Sequence, residues 1–569
     1  MTPFGVRQFR KLLAGCLLIN FLMFLVAMMG NVLAGRFLGE QGLAGVALAA
    51  PLVSVANFLF ALVGIGLGIN YSQRRGRLDR DGAESVFMQG VWASLLFGVA
   101  LALGAHLLRE PYFAFMGAEP ETLIHARAYW RWFPLGLLFM FLTNVVTVCC
   151  YSDGDTGFAT AGVVGQFVVS LAVSCLAFLL PIAGCADASA FSLGSATGYG
   201  FSFLLLCGHF LRPGNTFTFA WRFRLADVWA IIRSSSGDAL GILSDSFVYI
   251  VLGVVMTRSF GGAALVVYPA YVFVSEFNDY ANAFSNAMQP IAGVYFGEGN
   301  HRSVRVVIKS VFWLLTLMSA AFTLTLLLFP QIVVRTIGIV DPVYVPSAEL
   351  VVRASALALV PDTILNLMNN YYQTIGRVAV SVAVSVVGCG LLRVVAVLIF
   401  PVFGAEGFWY WNAAANAGGV LLFAVFLLWR YGFRRFPWLL DPRREAAIHT
   451  FDLHLREMEI ATTAEMVAKR MEANGVGHER ALKARLLVEE TLMVVKERND
   501  GRSVDAEVTL DFDDGVTITL RDDGVIFDLT DADARVNGLR TYLVATMMQH
   551  QSEKSNILTT GFNRNVFRL

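Results

Sequence analysis

Four carboxylates lie where a carboxylate is costly. Asp245, Glu276, Asp279 and Asp362 sit within long apolar stretches, and an ionisable group in hydrocarbon points to function before packing. Glu276 and Asp279 are three residues apart, which sets them on one helix face. Such a set suits cation coupling, by proton exchange or by caging sodium with oxygen ligands. Amides accompany it: Asn31 and Asn144 in the first half of the chain, and Asn282, Asn366 and Asn369 in the second. Together they read as lining a substrate path, although a polar contact between helices explains any single one as well. Asp238, Asn20, Asn57, Asn70 and Gln166 are similar in kind, and Arg393 needs a partner that its sequence neighbours do not name. No catalytic residue and no metal-ligand set is read. The seven cysteines all lie in the hydrophobic part, without C-x-x-C spacing or adjacent histidines, so packing is their plainest role.

The elements that must hold these residues are membrane spans. With 56% hydrophobic and 15% charged residues, the chain lies outside the range of soluble domains. Apolar runs predict twelve spans at 11–35, 43–70, 86–108, 128–151, 158–181, 188–211, 236–258, 263–290, 307–330, 350–372, 378–402 and 407–431. Each has about the 20 residues that a helix needs to cross a bilayer. Trp130, Trp132, Trp409, Trp411 and Trp429 stand at run ends as an interfacial belt requires. Basic residues such as Arg7, Arg10, Lys11, Arg74, Arg75, Arg302, Arg305 and Lys309 gather on one side, which predicts both termini in the cytoplasm. The basic segment Met1 to Lys11 leads into a run without a small-residue cleavage site, so it reads as a retained first helix. A net charge of zero gives nucleic acid no general attraction.

The two sets of six spans resemble each other. Phe115-Met116-Gly117 precedes the fourth span as Thr336-Ile337-Gly338 precedes the tenth, and Tyr151-Ser152-Asp153-Gly154 ends the fourth as Gln373-Thr374-Ile375-Gly376 ends the tenth. Repeated six-helix bundles mark secondary transporters, with the site between the halves. Asn31-x-x-x-Gly35-x-x-Leu38-Gly39, then Gln289-Pro290 leading to Gly297-x-Gly299-Asn300, resemble the multidrug and toxic compound extrusion (MATE) family over about residues 10–435. That resemblance implies two six-helix bundles and export of organic compounds driven by sodium or protons. Where the family often carries an acidic residue in the first span, this chain has Asn31.

Near Arg434 the composition changes to that of a soluble domain. Residues 451–455 alternate as a strand, 460–474 and 477–497 read as amphipathic helices, and 507–512 with 516–520 read as a hairpin, with further strand near the end. Val488-Glu489-Glu490, the box Asp522-Asp523-Gly524-Val525-Ile526-Phe527-Asp528, Gly538-Leu539-Arg540 and Thr560-Gly561 resemble the histidine-kinase-like ATPase fold of anti-sigma-factor kinases. The resemblance implies nucleotide-binding roles for Glu490, Asp522, Gly524, Gly538 and Gly561. It also implies a defect, because Val494 stands where the family's magnesium-holding asparagine belongs.

The expected fold is an all-α polytopic membrane protein of twelve transmembrane helices in two six-helix bundles, with a C-terminal soluble α/β sandwich domain. Its expected limits are 1–222 and 223–435 for the bundles, 436–449 for a linker and 450–569 for the tail. The expected function is a sodium- or proton-coupled antiporter in the inner (cytoplasmic) membrane, exporting small organic compounds and requiring no cofactor. The tail is expected to regulate it, binding ATP or ADP weakly or docking a cytoplasmic protein. Two alternatives remain at this stage: a flippase for a lipid-linked substrate, and a membrane-tethered anti-sigma-type kinase or sensor.

Overall fold

The structure, a computed structural model, describes residues 2–77, 79–116, 120–152, 155–180, 187–212, 224–260, 262–278, 280–337, 339, 342–499, 501–513, 515–525, 555–556 and 563–568, without the side chains of 23, 25–44, 47, 50, 80, 115–116, 120–122, 156, 225, 253, 257, 262–266, 269 and 555–556. Among the described residues, ten helices are long and apolar enough to cross a membrane, from Pro51–Gly76 to Trp411–Tyr431. The first predicted span falls within one helix, Phe4–Ala47. The eighth was expected as one continuous span and is instead two helices, Gly262–Phe277 and Tyr280–Gly297. Asn278 stands at the break, its amide donating to Asp362 Oδ2 at 2.6 Å. The tenth is likewise divided, into Val345–Ala356 and Leu359–Thr374. Polar side chains thus cluster where helices are interrupted, and irregular backbone at membrane depth is tolerated where protein or a cavity receives its polar groups.

The helices carrying Gly76 and Gly297 pack backbone to backbone at the end of the bundle that meets the tail. A Cβ on Gly76 would stand 2.3 Å from the Val294 carbonyl oxygen and 2.9 Å from Gly297 Cα. Only glycine permits that approach. Nearby, Gln73 donates to the Thr374 carbonyl at 2.5 Å, joining the first half of the chain to the second.

The tail is an antiparallel sheet of five strands, β1 (Ile448–His454), β2 (Asp505–Asp511), β3 (Thr517–Asp522), β4 (Ser555–Asn556) and β5 (Asn563–Arg568), in the order β1-β2-β3-β5-β4. The expected hairpin is β2–β3, with Val508 opposite Leu520. Strand side chains alternate between faces. Leu453, Ala506, Val508, Leu510, Ile518, Leu520 and Phe567 form one apolar face under the helices Glu457–Ala473 and His478–Arg498. Those helices contribute Ile460, Ala464, Val467 and Met471, then Ala481, Ala484, Val488, Leu492 and Val495, at helical spacing. Between bundle and sheet, Pro442–Ala447 form a helix, and β1 begins at Ile448.

The opposite face is charged, and it is buried against the bundle. Asp452, Glu507, Arg521 and Arg564 all lie on it. The register sets Arg521 directly across from both Glu507 and Arg564. Two guanidiniums facing each other across strands repel, and Glu298 of the bundle lies between them. It pairs with Arg521, and its Oε1 is 2.9 Å from Arg564 Nε. Arg521 Nη1 also donates to Glu507 Oε1 at 2.5 Å, and the Tyr295 hydroxyl donates to Glu507 Oε2 at 3.1 Å. Burial pushes the Glu507 carboxyl up and lowers Arg564 to about 10. The first half is held as well. Arg564 donates to the Arg75 carbonyl at 3.2 Å, the Phe4 amide to Asp452 at 2.5 Å, and Arg7 pairs with Asp505 at 2.9 Å. Gln8 and Lys11 both reach Asp523.

Candidate functional site

A cavity of about 530 Å³ lies in the bundle, within the usual range for small-molecule sites. The chain's first half contributes Asn20, Asn57 and Asn144, and the second contributes Asp238, Asp245, Glu276, Asn282, Asp362, Asn366 and Asn369. Phe60, Tyr151, Tyr249 and Tyr271 supply aromatic wall. Of the residues singled out in the sequence, the structure therefore brings together Asp245, Glu276, Asp362, Asn144, Asn282, Asn366 and Asn369. Asp279 and the side chain of Asn31 lie outside the described residues. Asn70 is elsewhere, donating to Ser234 Oγ at 2.6 Å, and Gln166 is buried away from the cavity.

The helix Leu359–Thr374 organises the second-half wall. Asp362, Asn366, Asn369 and Asn370 recur on it at spacings of three and four, so they share a face. Asn366 donates to Asn282 Oδ1 at 3.2 Å, Asn370 to Asn366 Oδ1 at 2.8 Å, and Gln289 to Asn370 Oδ1 at 2.9 Å. Asn369 donates to Asp238 at 3.2 Å and accepts from Ser381 and Ser385. These amides fix one another's orientation, as buried polar groups must when water is scarce.

Arg393 is the residue whose role the sequence left open. Its Nη1 donates to Asp245 Oδ1 at 2.7 Å, its Nη2 to Asp362, and its Nε to Asn416 Oδ1 at 3.0 Å. It follows a π-helical stretch, Val384–Leu391, a type of turn that recurs at functional sites. Among the described lining residues it is also the lone cation, against four carboxylates.

The profile of the MatE family matches residues 16–177 and 246–399, more than half of the 569. The chain belongs to the MatE family. The MatE match ends before the tail. The fold resembles that of an outward-facing multidrug resistance MATE transporter of the MOP superfamily, with TM-score 0.70 and 19% identity over 77% of this chain and 99% of that one. It also resembles a MOP superfamily transporter from Pyrococcus furiosus, whose binding pocket is described as reversed in polarity, at TM-score 0.69 and 18% identity over 78% and 100%. A mutant of the Vibrio cholerae MATE transporter VcmN gives TM-score 0.66 and 15% identity over 77% and 99%. No curated protein sequence matches the chain. MATE proteins are secondary transporters, which fits a cavity lined by both halves of a MatE bundle.

In the tail, Asp522 is buried, and its Oδ1 accepts from the Gly524 amide at 3.1 Å and from Asn563 Nδ2 at 2.9 Å. Glu490 lies on the helix His478–Arg498, and Val494 belongs to the apolar core. Gly538 and Gly561 lie outside the described residues. Sequence reasoning missed Asn499, whose Oδ1 accepts the Val525 amide at 2.7 Å and so pins the loop after β3. Its signal was an asparagine just past a helix end, a residue type suited to closing turns.

Proposed function

We propose that this MatE chain is a cation-coupled antiporter that exports small organic compounds across the cytoplasmic membrane. Its twelve spans form two bundles, 1–222 and 223–435, and both termini face the cytoplasm. The single observation that carries this reading is the cavity: amides of the first half and carboxylates of the second face one space of drug-sized volume. Asp245, Glu276, Asp279 and Asp362 are the coupling groups, and sodium or a proton is the coupling ion. Asn31, Asn144, Asn282, Asn366 and Asn369 line the substrate path. The basic residues Arg74, Arg75, Arg302 and Arg305 lie at the tail end, supporting a cytoplasmic position for that end.

The tail, joined through 436–449 and extending over 450–569, is a regulatory module. It grips both halves at the end where an alternating-access transporter must part them to open inward. Glu490, Asp522 and Gly524, with Gly538 and Gly561, are the remains of an ATPase-like pocket. Asp522 Oδ1 already accepts two hydrogen bonds from the chain, and Val494 offers no ligand to magnesium. Nucleotide binding there is accordingly weak and magnesium-independent, and the sheet serves chiefly as a docking surface that a cytoplasmic protein can relieve.

Proteoliposomes test the reading directly. Ethidium movement is followed under an imposed sodium or proton gradient, with the full chain and with residues 1–444. Gradient-driven movement that quickens on truncation is the expected result. Movement indifferent to both gradients would overturn the coupling reading, and identical rates with and without the tail would overturn its regulatory role.

A further inference from the structure

We infer that Arg393 is a tethered counter-ion, a built-in cation that competes with any cation entering the cavity for Asp245 and Asp362. The inference rests on the cation-coupled reading above and adds the residue that sets cation affinity. Both carboxylates are already engaged by one guanidinium, through different nitrogens, so a cation reaching them must displace it. Exposure gives the order of approach. The Asp245 and Asp362 side chains are 45% and 25% exposed, whereas Arg393 is 12% exposed. The carboxylates therefore face the open space, and the guanidinium stands behind them.

Arg393 also has somewhere to retreat. Asn416, which accepts from its Nε, donates in turn to Asn412 Oδ1 at 3.0 Å, and Asn412 lines the cavity. A guanidinium that gives up its carboxylates keeps a neutral oxygen partner and stays out of hydrocarbon, where an unpaired charge is expensive. The triad of two carboxylates and one guanidinium carries a net charge of minus one. Asp238 and Glu276 line the same cavity without contacting Arg393 among the described residues, so an arriving cation meets a negative field before it reaches the triad. The consequence is exchange: the cation enters as arginine withdraws, and arginine returns as the cation leaves. Neither Asp245 nor Asp362 is left without a cationic partner in between, which holds the net charge of the empty triad to minus one as the carrier changes conformation.

The competing cation is the coupling ion or a positively charged substrate, and two probes separate these sources. Binding of radiolabelled sodium and of tetraphenylphosphonium to the purified full chain is measured by scintillation proximity, for the unmodified protein and for Arg393→Gln. Loss of the tethered charge is expected to tighten binding at least tenfold, of sodium if the competitor is the coupling ion and of tetraphenylphosphonium if it is the substrate. Unchanged or weaker binding of both probes, in a variant with an unaltered thermal unfolding curve, overturns the inference. Should Arg393→Gln fail to fold, Asn416→Ala keeps the triad and removes the oxygen to which Arg393 withdraws. It is expected to weaken binding at least threefold, and unchanged binding overturns the inference. If only the variant binds a probe, the tethered ion is upheld and the coupling reading fails. Binding of neither probe by either protein overturns both.

Discussion

Glu298 is the bundle's counter-charge for the tail, and replacing it by Gln should undock the sheet. The carboxylate is buried between Arg521 and Arg564, which the β3–β5 register sets opposite each other. A guanidinium–carboxylate pair is worth on the order of 4 kcal/mol at 4 Å and an effective dielectric near 20. Two such pairs are offset by the cost of removing three charges from water. The net loss on deleting the shared partner falls at about 3 to 5 kcal/mol, because two guanidiniums remain buried and repelling. The docking equilibrium should shift by roughly two to four powers of ten. Trypsin reads this out, since Arg443 and Arg444 lie in the helix that joins bundle to tail. Where opening is fast, cleavage follows the population of the open form. Glu298→Gln should be cut about a hundredfold faster at this site. In the Glu298→Gln background, Arg521→Gln should cost less than it does alone. Cleavage within threefold of the unmodified rate would refute the assigned role of Glu298.

Two further outcomes follow from other parts of the molecule. Burial pushes the Asp522 carboxyl up to about 6, so the folded tail favours the protonated form. The folded value lies above the unfolded one, near 3.9. Stability is therefore greatest below about pH 4, falls as pH rises to about 6, and is level above that, a change of about 3 kcal/mol. Calorimetry of the full chain should show this slope as part of the total, and Asp522→Asn should reduce the total by about 3 kcal/mol; an identical slope in the variant would assign it elsewhere. Gly76→Val should force apart the helices that carry Gly76 and Gly297, because the added atoms meet backbone that cannot turn aside, at a cost of about 1 to 3 kcal/mol. A charged maleimide should then label Ser72→Cys at least tenfold faster, and unchanged labelling would show that the contact is not what closes this end.

Local pattern carried much of the fold. Runs of about 20 apolar residues marked the helices. Period-two alternation in 507–512 and 516–520 marked the hairpin now seen as β2–β3. Residue type within an apolar run singled out Asn366 and Asn369, and both do line the cavity. Pairings across long separations were not legible. Asp245 precedes Arg393 by 148 residues, and only the packing of the helices brings them together. Glu298 read as part of a glycine-rich loop motif, although its use is to neutralise two strands more than 200 residues away. A hint was present in β2 and β3, where Glu507 and Arg521 occupy the face opposite an apolar one, and such charges in a buried strand need a partner. The partner's identity was beyond any local rule. The breaks at Asn278 and near Leu357 were hidden for a related reason: hydropathy reports burial in lipid, and it is blind to where a helix stops for a side chain of its neighbour.

The grip of the tail on the bundle also constrains the order in which the molecule is made. The contacting groups run from the Phe4 amide, through Arg75 and Glu298, to Arg564. The ribosome has delivered every described helix before the last partner, on β5, exists. Docking is then complete only after these helices have been made, and a tail that finds all its contacts certifies that the first helix, the Gly76 helix and the Gly297 helix have inserted in register. A bundle missing any of them leaves a charged sheet face open to water, which is a form that cellular quality control can recognise.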